Sequence, residues 1–224
     1  VLSGVLAIFV WWWIDDSPDG HSNKDDHINI AQGPPLGWLP WLILAYGLEG
    51  LGYIVTGTFI VSMAERTPGF GNDPSLVWMV VGIAAMPSCI IWSALANRRG
   101  YVKALVLSMI LQSVGIALPV VWMSPSGFVL SALLFGATFM GITTLATTLA
   151  RQITPSNSSR IIGYMTAFYA AGQMAGPSIA GLLLSYTQSV QPALLGAAGV
   201  VFLGGAILAS GIRYDRASGR AEGV

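Results

Sequence analysis

The 224-residue chain is 54% hydrophobic and only 9% charged, with ten basic residues against ten acidic ones and no net charge. That balance excludes an ordinary soluble domain, in which roughly a quarter of residues are charged, and gives no electrostatic reason to expect a nucleic-acid partner. The charges fall in short clusters between apolar runs of about 20 residues, the length a helix needs to cross roughly 30 Å of hydrocarbon, so the lipid bilayer is the first expected partner.

The first run, VLSGVLAIFVWWWI at 1–14, reaches only about 21 Å as a helix and falls short of a crossing. No basic residue precedes it, which argues against a signal peptide. Trp11, Trp12 and Trp13 suit a membrane interface. It reads as the remnant of a preceding transmembrane helix.

Residues 15–35 form a polar connection. Within it, DDSPDGHSNKDD has near-calcium-loop spacing, but Asp26 stands in place of the bidentate glutamate, Ser22 in place of the apolar residue, and Pro18 between the first ligands. A solvated linker is the better reading, His21 and His27 read as exposed loop residues, and no metal site or cofactor is expected.

Full spans are expected near 36–63, 75–95, 103–122, 127–149, 161–186 and 192–212, giving a six-helix bundle over 36–212 and a tail at 213–224. One side of these spans carries Lys24, Arg98, Arg99, Lys103, Arg151, Arg160, Arg213, Arg216 and Arg220, and the other only Arg66. The positive-inside rule then places the loop 15–35 and the C-terminus in the cytoplasm. Cys89 is the lone cysteine and cannot form an intrachain disulfide.

Polar residues in the spans are grouped. At 100° per residue, Tyr46, Glu49, Tyr53 and Thr56 share one sector about 80° wide, with Gly50 and Gly57 beside it. A carboxyl facing lipid is costly, so this stripe is expected to face the protein interior or water. Thr138, Gly141, Thr144 and Thr148 make a broad polar side on the fourth full span, although membrane threonines often bond back to their own turn. Thr166, Tyr169, Gln173 and Gly176 share a sector of the fifth, and Pro87 and Pro177 are expected to kink their helices. The spans 103–122, apart from Gln112 and Ser113, and 192–212 read as plain and peripheral. Polar stripes confined to a subset of helices suggest a shared cavity, which fits transport.

With these features the chain resembles the C-terminal half of a major facilitator superfamily (MFS) transporter. The tract YGLEGLGYIVTGTFIVSMAERT and the motif GQMAGPSIAG are similar to a bacterial branch of YbfB-like transporters. SALANRRGYVK echoes the superfamily's signature connection, with Ser93 where Gly and Asn97 where Asp is expected, and marks Asn97, Arg98, Gly100 and Lys103 as gating-loop candidates. The resemblance implies an all-α polytopic fold, a missing N-terminal six-helix half, a bacterial inner-membrane location and a midplane site reached alternately from each side.

The expected function is therefore secondary active transport of a small-molecule substrate, not enzymatic catalysis. Glu49 is the proton-coupling candidate, because a carboxyl can load and release protons as its surroundings wet and dry. Tyr46, Tyr53, Thr56, Thr144, Thr148, Thr166, Tyr169 and Gln173 are the substrate-cavity candidates. A membrane scaffold or assembly subunit is the alternative. No His or Cys cluster and no paired intramembrane carboxylates support an intramembrane enzyme.

Overall fold

A computed structural model describes residues 34–65, 73 and 76–215. The readings of 1–14, of the calcium-like loop, of Arg66 and of the tail beyond Asp215 lie outside them. Among the described residues every regular element is a helix. A 3-10 turn at Leu36–Trp38 leads into α1 (Leu39–Ala64), followed by α2 (Leu76–Ala85), α3 (Ser88–Arg99), α4 (Tyr101–Val121) and α5 (Pro125–Ile153). A second 3-10 turn, Pro155–Asn157, leads into α6 (Ser158–Thr187), and α7 (Gln191–Ala209) closes the bundle.

The boundaries follow local chemistry. Proline occupies the first turn of α1, α5 and α7, where its missing N–H costs nothing. Ser124 caps α5 by accepting from the Gly127 N–H at 3.1 Å. Gln188 adopts a left-handed conformation, φ 53°, and stops α6. The kink expected at Pro87 is a full break: Met86 and Pro87 are a turn, so one predicted span is the two helices α2 and α3. Pro177 lies inside an uninterrupted α6.

Among the described residues five segments are long and apolar enough to cross a membrane: Leu36–Ala64, Leu76–Arg99, Tyr101–Val121, Pro125–Ile153 and Gln191–Ala209. The helix α6 has the length, at 30 residues, but is the more polar one. It is also the least enclosed, with only Met165, Gly176 and Ala180 buried.

In a bilayer, helices associate through close packing and polar contacts rather than hydrophobic burial. The seams use both. The helix α1 lies between α6 and α7, while α5 lies between α4 and the α2–α3 pair, and α4 packs on α7 to join the two groups. Where α1 meets α6, glycines bring the backbones together: a Cβ on Gly172 would strike the Gly47 carbonyl, and one on Gly176 would stand 2.9 Å from that of Leu51. Elsewhere single hydroxyls cross the seam. Ser113 donates to Ala198 O at 2.8 Å between α4 and α7, and Ser131 donates to Gly115 O at 2.6 Å between α5 and α4. Large side chains such as Leu42, Met109, Phe135, Ile142 and Leu194 fill the rest of the interior.

Candidate functional site

The stripe on α1 turns inward. Glu49 is fully buried, Thr56 is 3% exposed and Tyr46 is 7% exposed, while Tyr53 is half-buried. Glu49 thus avoids lipid, as the grouping of its polar neighbours requires. Its partner comes from a helix expected to be plain: Gln112 Nε2 on α4 donates to Glu49 Oε1 at 3.0 Å. Gln112 is itself fully buried. Its helix is no peripheral strut but the most enclosed of the apolar spans, with eleven of its 21 residues buried.

The Tyr169 hydroxyl also comes up to the Glu49 carboxyl, without hydrogen bonding to Oε2. Every basic residue in the described helices stands near a helix end or beyond it, namely Arg98, Arg99, Lys103, Arg151, Arg160 and Arg213. No cation therefore reaches Glu49 from within the described bundle.

Over this carboxyl lies an aromatic layer drawn from three helices. Tyr46 stacks on Tyr169, with ring centres 4.6 Å apart. Tyr53 stacks on Phe135 and Phe139 at 5.5 and 5.4 Å, and lies 6.3 Å from Tyr169 in a tilted arrangement. The structure thus brings Tyr46, Glu49, Tyr53 and Tyr169 together, and adds Gln112, Phe135 and Phe139. An amide in a span with one other polar neighbour was the sequence signal for Gln112. The phenylalanines carried none, because apolar aromatics abound in every span.

The hydroxyls divide differently. Thr56 bonds to Gly52 O, Thr148 to Thr144 O and Thr166 to Ile162 O, each one turn back along its own helix. Thr144 bonds to Met140 O and also reaches Cys89 Sγ at 3.2 Å across to α3. Thr166 is exposed on α6, and Gln173, half-buried, has no hydrogen-bond partner among the described residues.

A second polar cluster joins α3 to α5. The Ser88 hydroxyl donates to Ala137 O at 2.8 Å and accepts from Gly141 N at 3.0 Å, and Trp92 Nε1 donates to the same carbonyl at 2.7 Å. Ala137 and Gly141 are the i, i+4 pair that a helix ladder joins, so Ser88 is a wedge at that rung. This follows directly after the Pro87 break.

At the basic end, Asn97 accepts from the Tyr101 hydroxyl at 2.8 Å, and Arg98 is exposed. The carboxylate of this connection comes from Asp215, beyond α7, which accepts from Val102 N at 3.2 Å and Lys103 N at 2.8 Å. Gly100 has φ 102°, and a Cβ there would strike the Asp215 carboxyl, so glycine is required twice over. Burial pushes the Asp215 carboxyl up, opposed by the two backbone amides and by Lys103. An apolar groove lined by Pro119, Trp122, Met123 and Val190 lies at the opposite end, away from Glu49.

A family model described as "Uncharacterised MFS-type transporter YbfB" matches residues 1–209. Among curated proteins no match is found.

Proposed function

Because the chain belongs to the family of the MFS-type transporter YbfB, a family of multi-pass membrane transporters, we propose that it serves proton-coupled movement of a small solute by alternating access. In this reading the helices α1, α5 and α6 present the substrate-facing surface and Glu49 is the coupling residue. The observation that carries it is a carboxyl, fully buried and with no basic partner among the described residues, in a group with Tyr46, Tyr53 and Tyr169. A proton is the smallest ligand such a group can take, and its gain or loss changes the charge at the heart of the bundle.

Tyr46, Tyr53 and Tyr169 offer π-faces and hydroxyls to a solute with ring or hydrogen-bonding character. Gln173 contributes an amide from α6. Tyrosines that lie within electrostatic reach of Glu49 give solute and proton a common set of side chains, as coupling demands. The basic connections fit a cytoplasmic face in a bacterial inner membrane.

The test is uptake by the complete protein reconstituted in liposomes under an imposed pH gradient. Glu49→Gln is expected to abolish accumulation against a gradient while leaving downhill exchange of solute. Unchanged proton-driven accumulation would rule out the coupling role.

A further inference from the structure

Among the described residues two buried side-chain polar atoms lack a hydrogen-bond partner, Glu49 Oε2 and Gln112 Oε1. They belong to the same pair of side chains, already joined by the bond from Gln112 Nε2 to Glu49 Oε1. Both orphans are acceptors. An ionised carboxylate has no hydrogen to offer, so the charged pair leaves two oxygens bare in a site without water-exposed surface.

We propose that Glu49 and Gln112 form a neutral acid–amide pair that binds one proton between α1 and α4, with Glu49 Oε2–H donating to Gln112 Oε1 while Gln112 Nε2–H donates to Glu49 Oε1. One hydrogen then satisfies both orphans and closes a two-bond ring. Turning the Gln112 amide over gives the same ring once the proton sits on Glu49 Oε1 instead, so the neutral pair forms with either assignment of the amide.

Among the described residues, no group that faces Glu49 carries a positive charge. On α1 the titratable groups facing Glu49 are Tyr46 and Tyr53, and on α6 Tyr169. The helix α4 offers Gln112 and keeps Lys103 at its far start, α5 keeps Arg151 at its end, and α7 contains no charged residue. With no cation to balance it, an anion at Glu49 is uncompensated.

Release of the proton to water leaves the carboxylate and turns the O–H···O contact into two facing acceptors. The bond that ties α1 to α4 is then halved, and α1 is freed to shift against the scaffold formed by α4 and α7. Gln112 is thus a positioning residue that makes proton binding and the α1–α4 contact one event. This deepens the coupling role proposed for Glu49 and rests on that reading for its place in transport, but the pair itself is detectable without transport.

The experiment is infrared difference spectroscopy of the full chain in lipid at neutral pH, with labelled glutamate, comparing wild type, E49Q, Q112L and the swap E49Q/Q112E. Glu49→Gln restores the same donor and acceptor pattern as an amide–amide pair, so it is expected to fold and melt as the wild type does. The wild type is expected to show the C=O stretch of a protonated acid, E49Q to lose it, Q112L to shift it, and the swap to recover it from α4. Loss of carboxylate bands rather than an acid band in E49Q would overturn the proposal, as would an acid band that Q112L leaves in place. A carboxylate signal that responds to sodium would overturn it in favour of a metal cation. An acid band in the wild type combined with intact proton-driven uptake by E49Q would leave the pair standing and remove only the coupling role.

Discussion

Gly50 lies so close to Tyr169 that a Cβ at position 50 would stand 2.6 Å from the Tyr169 carbonyl oxygen and 2.9 Å from its ring. The absence of a side chain at 50 therefore sets how near α6 comes to α1, and with it the place of the Tyr169 ring on Tyr46. Gly50→Leu is expected to lower stability by roughly 1–3 kcal/mol through overpacking and to impair uptake, read by thermal unfolding in detergent and by solute transport. Gly181→Ala is the control, since a Cβ there meets nothing within 4 Å. It is expected to gain about 0.5–1 kcal/mol from helix propensity. Equal effects of the two changes would remove the close-approach argument.

The Ser88 wedge gives a local prediction. Ser88→Ala removes one bond to Ala137 O and the acceptor for Gly141 N, for a cost of about 1 kcal/mol. The backbone amide at 141 then depends on its own helix alone. Hydrogen exchange over 137–145 is expected to change while exchange in α7, which Ser88 does not touch, stays as it was. An unchanged pattern in α5 would show that Ser88 is a passenger.

Helix existence was legible in the sequence because twenty-residue apolar runs have no other stable form in lipid. Each of the six expected spans coincides with helix, the second with the two helices α2 and α3, and five of the six are long and apolar enough to cross a membrane. The break at Pro87 exceeded the expected kink, and directly after it Ser88 and Trp92 tie the chain to α5 by donating to Ala137 O. The inward turn of Glu49 was legible from its stripe. Its partner was not: helical periodicity orders residues around one axis and says nothing about which other helix lies alongside. Gln112 was visible as a polar residue, yet a single amide forms no stripe, and its helix was misread as peripheral. Thr56, Thr148 and Thr166 show why periodicity alone does not give a hydroxyl's partner, since each bonds one turn back along its own helix.

Asp215 brings a carboxyl to the start of α4 from a distant part of the chain. Its carboxyl bonds to two N–H groups at the start of α4, where a helix has unpaired donors. Asp215→Ala is expected to cost about 1 kcal/mol, the usual worth of such a cap. The pH dependence has a definite sign. Burial raises the folded-state pKa above its ordinary value, so the folded protein holds this proton more tightly and stability declines as pH rises between the two values. Above that interval the contribution is flat. Melting wild type and D215N in parallel across the acid range checks this, and a wild type that gains stability relative to D215N as pH rises there would contradict it.

The aromatic layer and the threonines make opposite predictions for uptake. Tyr53 touches Phe135, Phe139 and Tyr169, each such ring pair being worth about 0.5–1.5 kcal/mol beyond its buried area. Tyr53→Ala is therefore expected to raise KM by about tenfold or more, and Tyr53→Phe to keep the stacking and reveal through any remaining change what the hydroxyl does for the solute. Thr56→Val and Thr148→Val remove only bonds to Gly52 O and Thr144 O on their own helices. Their effects are expected to stay within about twofold, corresponding to changes of roughly 0.5 kcal/mol. Uptake kinetics for the four variants, normalised to the amount of folded protein, decide the matter. A Thr148→Val variant as damaging as Tyr53→Ala would move the solute surface from the α1–α6 aromatics toward the hydroxyl side of α5, and a Thr56→Val variant as damaging would extend it along the α1 stripe.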